Sequence, residues 1–161
     1  MDAVIAELSA GFSDVDDLLR GIVRLLVAMV CGALVGLQRE QMGKPAGLRT
    51  HMLVATATAL FIIAGANAGM NSEQLSRIIQ GIVTGIGFLG AGAILKLDRE
   101  REITGLTTAA GIWMTAAVGV AAGLGRLGTA LTSAILAWAI LSLVARFERW
   151  RLAHRRRGKG E

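Results

Sequence analysis

The segment IIQGIVTGIGFLGAGAIL, from Ile78 to Leu95, holds eighteen uncharged residues between Arg77 and Lys96. With a helical rise of about 1.5 Å per residue, this segment nearly crosses the ~30 Å hydrocarbon core of a bilayer. In a water-soluble helix each glycine costs about 1 kcal/mol relative to alanine, whereas in a membrane small residues let helix backbones approach closely. The segment therefore predicts a transmembrane helix that packs through its five glycines, which are Gly81, Gly85, Gly87, Gly90 and Gly92.

The same segment contains Gly85-Ile-Gly87-Phe-Leu-Gly90, which matches the G-x-G-x-x-G pattern of dinucleotide-binding loops. In those loops the pattern follows a strand, and an acidic residue comes about twenty positions later in a βαβ unit. Neither feature is present here, so we interpret the motif as helix packing. Gln80 and Thr84 are four positions apart, hence on one face, and are the strong polar groups of this helix.

The composition is that of a small integral membrane protein. The 161 residues are 53% hydrophobic and 18% charged, with a mean hydropathy of +0.57. A single cysteine, Cys31, excludes an intramolecular disulfide, and two histidines far apart give no zinc-type ligand cluster. No nucleophile–base pair is visible. The sequence therefore predicts a protein that is not an enzyme, with no catalytic residues, metal or cofactor.

Hydropathy divides the chain into five spans. They form an all-α, glycine-packed transmembrane domain at 18–147, with helices at about 18–38, 50–69, 78–95, 103–125 and 127–147. An acidic segment, residues 1–17, precedes the domain; it lacks the basic start of a secretory signal peptide and is expected outside. A basic tail, residues 148–161, follows the domain.

The basic residues are unevenly distributed between the two predicted sides. Residues 38–49, 96–102 and 146–161 carry three, three and seven of the seventeen Lys and Arg residues. The positive-inside rule therefore predicts an outer N terminus and a cytoplasmic C terminus. Anionic lipid accounts for the basic tail, and no nucleic-acid partner is expected.

Charged residues near the ends of the spans are candidates for a functional role. Arg24 lies about a turn inside the first span, where snorkelling and a functional role are both open. At the predicted inner face, Glu40 is expected to pair with a basic neighbour, because a buried charge that loses its partner can cost ~3–5 kcal/mol. This candidate inner-face cluster consists of Arg39, Glu40, Arg49 and His51.

Several sequence blocks over roughly residues 20–125 are shared, in order and spacing, with a known family. They are Gly36-Leu-Gln-Arg39-Glu40, Ala46-Gly-Leu-Arg-Thr-His51, Arg77 with Gln80, Thr84-Gly-Ile-Gly-Phe-Leu-Gly-Ala-Gly92, and Gly105-Leu-Thr-Thr-Ala-Ala110 with Trp113. The chain resembles the MgtC/SapB family of bacterial inner-membrane proteins. The resemblance implies a multi-pass inner (cytoplasmic) membrane protein linked to survival in low magnesium and, in pathogens, to virulence inside macrophages. Many members carry a soluble ACT-like domain after the last helix, so the end at Glu161 implies a short form.

Two classes of function remain open. One is a non-enzymatic regulator that acts by helix contacts with a second copy or with a membrane complex, ATP synthase being one proposal for the family. The other is a transporter or channel for Mg²⁺ or another ion, with a candidate polar path of Gln80, Thr84, Thr107 and Thr108. Protein sites hold Mg²⁺ through carboxylates and retained waters, and the four later spans contain no Asp or Glu. The sequence therefore favours the regulator, with the lipid bilayer, a homo-oligomer and a membrane complex as expected partners.

Overall fold

Five long helices form one bundle in the computed structural model, which describes residues 14–97 and 102–157. They are α1 (Val15–Gln41), α2 (Leu48–Asn67), α3 (Ser72–Gly92), α4 (Leu106–Gly123) and α5 (Leu127–Arg157). A short antiparallel pair, β1 (Leu95–Leu97) and β2 (Glu102–Thr104), joins α3 to α4. Most of the predicted acidic segment, the centre of the 96–102 loop and the end of the basic tail lie outside the described residues.

Each of the five helices contains an apolar stretch long enough to cross a membrane, which in α5 is Leu127–Val144. The prediction of an all-α membrane protein with five spans is confirmed. Which end of the bundle faces the cytoplasm stays a prediction from the distribution of Lys and Arg.

The first turns of two helices are fixed by side-chain caps. The Asp14 carboxylate accepts from the Asp17 backbone N–H at 2.7 Å, so α1 begins at Val15. Asn71 and Gln74 cap each other's backbone N–H groups at 3.0 Å, so α3 begins six residues before the predicted residue 78. Arg77 consequently lies within α3, where it pairs with Glu73 at 2.9 Å.

Small side chains fill the core where α1, α2, α4 and α5 meet. A Cβ added at Gly119 would overlap the Thr58 hydroxyl and the Ala55 carbonyl, so α4 approaches the backbone of α2 directly. Such contacts leave space for little more than methyl groups between the helices. The buried cluster consists of Ala28, Cys31, Ala55, Ala59, Val118, Ala122, Ala130 and Ala134.

Helix α3 lies at the edge of the bundle. Only Ile86 and Gly90 are buried among its residues, and Gly90 faces Ala109 of α4. The remaining α3 glycines have open space where a Cβ would be: they are Gly81, Gly85, Gly87 and Gly92. Within a single chain, most of the α3 surface therefore faces the surroundings of the bundle.

Candidate functional site

The end of α1 turns sharply into α2 and places Glu40 at the first backbone N–H of α2. The intervening turn uses Gly43 at φ +63°, a left-handed conformation that glycine adopts without steric cost. Gly47 precedes α2 and supplies no side-chain cap, so the carboxylate of Glu40 accepts from the Leu48 N–H at 2.9 Å instead. Glu40 is exposed and forms no ion pair within the described part of the chain. The expected pairing of Glu40 with a cation is thus replaced by a helix cap, because an unpaired helix N-terminus lies within its reach.

Arg39, next to Glu40, points the other way and is only 4% exposed. Its Nη2 atom donates to the hydroxyl of Thr108, in the first turn of α4, at 2.5 Å. Its Nε atom is buried without a hydrogen-bond partner among the described residues. The carbonyl end of α1 favours a cation here, whereas the amide end of α4 disfavours one. A buried guanidinium is therefore held by one hydroxyl and by the last turn of its own helix.

His51, in the first turn of α2, is fully buried. It meets α4 at Thr115, two helical turns beyond Thr108 on the same face. Its Nδ1 atom lies 2.7 Å from the Thr115 hydroxyl, and that hydroxyl donates to the Gly111 carbonyl at 2.9 Å. Which of the two atoms donates in the His51–Thr115 contact depends on the tautomer of the imidazole. The Nε2 atom is also buried.

Gln38 forms the third buried polar contact of this region. Its Nε2 atom donates to the Leu141 carbonyl of α5 at 3.1 Å, and the side chain is 7% exposed. Its Oε1 atom has no hydrogen-bond partner in the described residues. We call Gln38, Arg39, His51, Thr108 and Thr115 the buried polar cluster. It ties one end of α1 and the start of α2 to α4 and α5.

The predicted inner-face residues separate into two groups in the structure. Arg39 and His51 are buried in the polar cluster, whereas Glu40 and Arg49 are exposed. Sequence reasoning missed Gln38 and Thr115. Gln38 could have been found from its position beside Arg39 at the end of an apolar span. Thr115 could have been found from its spacing of seven residues from Thr108, which places both on one helix face.

The residues of the candidate polar path do not come together within the chain. Gln80 and Thr84 are exposed on α3, and the Thr84 hydroxyl donates to the Gln80 carbonyl of its own helix at 2.9 Å. Thr107 is exposed on α4, whereas Thr108 is buried against Arg39. A largely apolar groove of about 590 Å³ lies between α2 and α3, and Gly81 and Gly85 contribute to its lining.

Arg24 is hydrogen-bonded at the opposite end of the bundle. Its Nη1 atom donates to the carbonyl of Gly123, the last residue of α4, at 3.2 Å. A cation at the carbonyl end of a helix is stabilised by the helix dipole. The structure thus gives Arg24 a local contact that closes α4 beside the turn to α5. Snorkelling and a functional role of Arg24 both stay predictions.

Charge and donor types limit what the buried polar cluster can bind. No group of three or more His, Cys, Asp or Glu residues that could hold a metal ion occurs among the described residues. The cluster contains a cationic donor at Arg39, an amide oxygen at Gln38 and the imidazole of His51. It suits hydrogen bonding between helices and repels a bare cation.

Comparison with known proteins gives consistent matches. A model of the MgtC family matches residues 25–150. Protein SrpB from Synechococcus elongatus is 46% identical over 125 residues, which cover 68% of this chain and 69% of SrpB. Protein MgtC from Salmonella typhimurium strain LT2 is 44% identical over 115 residues, which cover 71% of this chain and 48% of that protein.

A protein named "Putative magnesium transporter YhiD" from Escherichia coli K12 is 44% identical over 128 residues, covering 71% of this chain and 58% of its own. The chain thus spans about half the length of MgtC and somewhat more of YhiD. No solved structure matches.

Proposed function

Because this chain belongs to the MgtC family, we propose that it is a non-enzymatic regulator in the bacterial inner membrane. In this role it supports adaptation to low magnesium by modulating other membrane complexes through contacts between helices. ATP synthase, one proposal for the family, is a candidate for such a complex.

The observation that carries this proposal is the buried guanidinium of Arg39, which has no ion pair within the described residues. A Mg²⁺ ion dehydrates reluctantly and is usually held by carboxylates and waters. In α1 to α4 and in the apolar part of α5, Leu127–Val144, the carboxylates are those of Asp16, Asp17, Glu40 and Glu73, which all lie in terminal turns. The buried cation Arg39 would repel a metal ion, and the hydroxyl groups of Thr84 and Thr108 are already hydrogen-bonded within the chain. Both observations support a structural and regulatory role and speak against a cation path through one chain.

Two observations favour a second candidate, transport of Mg²⁺ or another ion. The printed name of the YhiD relative describes a magnesium transporter. In addition, Gln80 and Thr84 face outward on α3, so they would line a shared surface if several copies assembled. A pore that keeps the ion hydrated would need no carboxylate.

Flux through the purified protein separates the two candidates. The intact chain is reconstituted in liposomes that contain a fluorescent Mg²⁺ indicator, and empty liposomes serve as the baseline. A regulator gives no flux above this baseline, while cells that express it in low magnesium change their ATP level, membrane potential or survival. Saturable Mg²⁺ flux that is lost in a folded Gln80→Leu or Thr84→Val protein would establish transport instead.

A variant pair tests whether the buried polar cluster matters for the cellular effect. Arg39→Gln removes the buried charge, and Lys44→Gln removes an exposed charge at the same end of the bundle. At equal accumulation in the membrane, Arg39→Gln should lose the low-magnesium effect and Lys44→Gln should keep it. Wild-type behaviour of Arg39→Gln would contradict a role of the cluster.

Purification of the intact chain in mild detergent, with bound proteins identified, then names the partner complex.

A further inference from the structure

A cavity of about 420 Å³ with several polar side chains in its lining lies between α1 and α5, at the end of the bundle that holds the buried polar cluster. Its volume falls within the ~300–1,000 Å³ range of small-molecule sites. The lining residues are Gln38, Gln41 and Met42 of α1 and its following turn, together with Ser142 and Arg146 of α5. An amide pair, a hydroxyl and a guanidinium therefore surround one space.

The side chains around this cavity differ in what they offer a ligand. The Gln38 Nε2 atom donates to the Leu141 carbonyl, and its Oε1 atom is enclosed by protein, so Gln38 shapes the cavity without offering this acceptor to a ligand. Gln41 is exposed and Ser142 half-buried, so their polar groups are accessible from the cavity. Arg146 is exposed and supplies a positive charge at the outer side of the cavity. The site thus combines a cation with neutral hydrogen-bonding groups.

The height of the cavity in the membrane points to an amphiphilic ligand. The apolar part of α5 ends at Val144, so Ser142 lies just inside this limit and Arg146 just outside it. On α5, Trp138, Ser142 and Arg146 are spaced by four residues and share one face. On α1, Leu37 and Gln41 share a face in the same way. Leu37 is 48% and Trp138 43% exposed, so apolar surface continues from the polar cavity toward the membrane interior.

We propose that this cavity binds the headgroup of an anionic phospholipid, phosphatidylglycerol being the model compound. The phosphate pairs with the guanidinium of Arg146, a charge-assisted contact stronger than a neutral hydrogen bond. Ser142 and Gln41 complete the hydrogen bonds to the headgroup. The acyl chains lie along Leu37 and Trp138. The lipid would then hold α1 and α5 together at the membrane surface.

Lipid titration of the intact protein tests this assignment. The protein in a non-ionic detergent is titrated with phosphatidylglycerol and with phosphatidylcholine of the same acyl chains, and bound lipid is counted by native mass spectrometry. Inorganic phosphate is titrated as a third ligand. The variants are Arg146→Gln, Ser142→Ala and the matched control Lys44→Gln, which loses an exposed charge at the same end of the bundle but lies outside the cavity. Thermal unfolding without added lipid verifies that each variant is folded.

Preferential binding of phosphatidylglycerol supports the proposal if Arg146→Gln weakens it about tenfold, as expected for loss of a charged hydrogen bond, and Lys44→Gln does not. In that case Ser142→Ala should weaken binding less, because a neutral hydrogen bond contributes less. Equal losses in Arg146→Gln and Lys44→Gln would mean general surface attraction and would overturn the site. Unchanged binding in Arg146→Gln, or occupation by inorganic phosphate as readily as by the lipid, would overturn the lipid assignment.

Discussion

Arg39 and Thr108, 69 positions apart, are joined by a 2.5 Å hydrogen bond from the guanidinium Nη2 atom to the threonine hydroxyl. The bond connects the last turn of α1 to the first turn of α4 in a buried environment. Because the Nε atom of Arg39 has no partner in the described chain, this hydroxyl is the side-chain acceptor on which a buried charge depends.

Thr108→Val removes the acceptor while nearly preserving the shape of the side chain. We expect the free energy of unfolding to fall by about 1–3 kcal/mol, since a buried donor is left unsatisfied. Thr107→Val, at the neighbouring exposed position, should change it by less than about 0.5 kcal/mol. Denaturant titration in mixed micelles measures both values. Equal effects at the two positions would show that the Arg39 contact contributes nothing to stability.

Gly119→Ala introduces a Cβ that overlaps the Thr58 hydroxyl and the Ala55 carbonyl. Because the obstacle includes backbone, α2 and α4 must separate, and we expect a loss of about 1–3 kcal/mol or more in stability. Gly128→Ala is the matched control, because a Cβ there meets nothing within 4 Å. Folded yield and thermal unfolding in detergent give the comparison. A Gly119→Ala protein as stable as the control would refute the backbone contact.

Glu40→Ala removes the side-chain cap of α2. Caps of this type contribute about 0.5–2 kcal/mol, so stability should fall within that range, and Glu40→Gln should recover part of the loss. Amide exchange at Leu48 should accelerate in Glu40→Ala, since its N–H loses its acceptor. Lys44→Ala in the same turn serves as the control. Unchanged exchange at Leu48 would contradict the cap.

Gly81→Leu and Gly85→Leu test whether α3 packs against another molecule. A single chain has open space at both positions, so neither change should lower the stability of the isolated chain by more than about 0.5 kcal/mol. If a second copy packs there, both changes should reduce cross-linked dimer in native membranes, and Ala66→Leu should not. Equal amounts of cross-linked dimer in all three variants would contradict the predicted contact through Gly81 and Gly85.

Cysteine labelling tests the orientation of the chain. In a Cys31→Ala background, single cysteines at positions 44, 100 and 155 should be protected from a membrane-impermeant reagent in intact cells. Positions 8 and 72 should react, because thirteen of the seventeen basic residues lie on the predicted inner side. Permeabilised cells provide the control for accessibility. The inverse labelling pattern would refute the charge argument.

Hydropathy alone predicted the five spans, since each is a long apolar run between charged loops. It placed the start of α3 too late because Arg77 and Glu73 look like loop residues, whereas the Asn71–Gln74 capping box extends the helix beyond the apolar run. The buried polar cluster was harder to predict. Arg39, Glu40 and His51 form one charged block in the sequence, and only the packing of α4 decides that Arg39 and His51 turn inward while Glu40 stays exposed.

The glycines illustrate the same limit of local information. Gly81-xxx-Gly85 and Gly119-xxx-Gly123 have the same spacing, yet a Cβ at Gly123 would lie 2.7 Å from the Ala59 carbonyl oxygen, whereas at Gly81 and Gly85 it meets nothing. A pattern of small residues indicates that a neighbouring helix can approach closely. Which helix does so depends on the arrangement of all five helices in the bundle.

The edge position of α3 divides the glycines of this chain into two classes. Where α1, α2 and α4 meet backbone to backbone, a Cβ would overlap a neighbouring helix, so the fold of one chain requires the glycines there. On the outward face of α3 the fold of one chain makes no such demand, yet most of the shared block Thr84–Gly92 lies on this helix face. The packing of the single bundle therefore does not account for that block, and a contact beyond the single chain is where its glycines would be used.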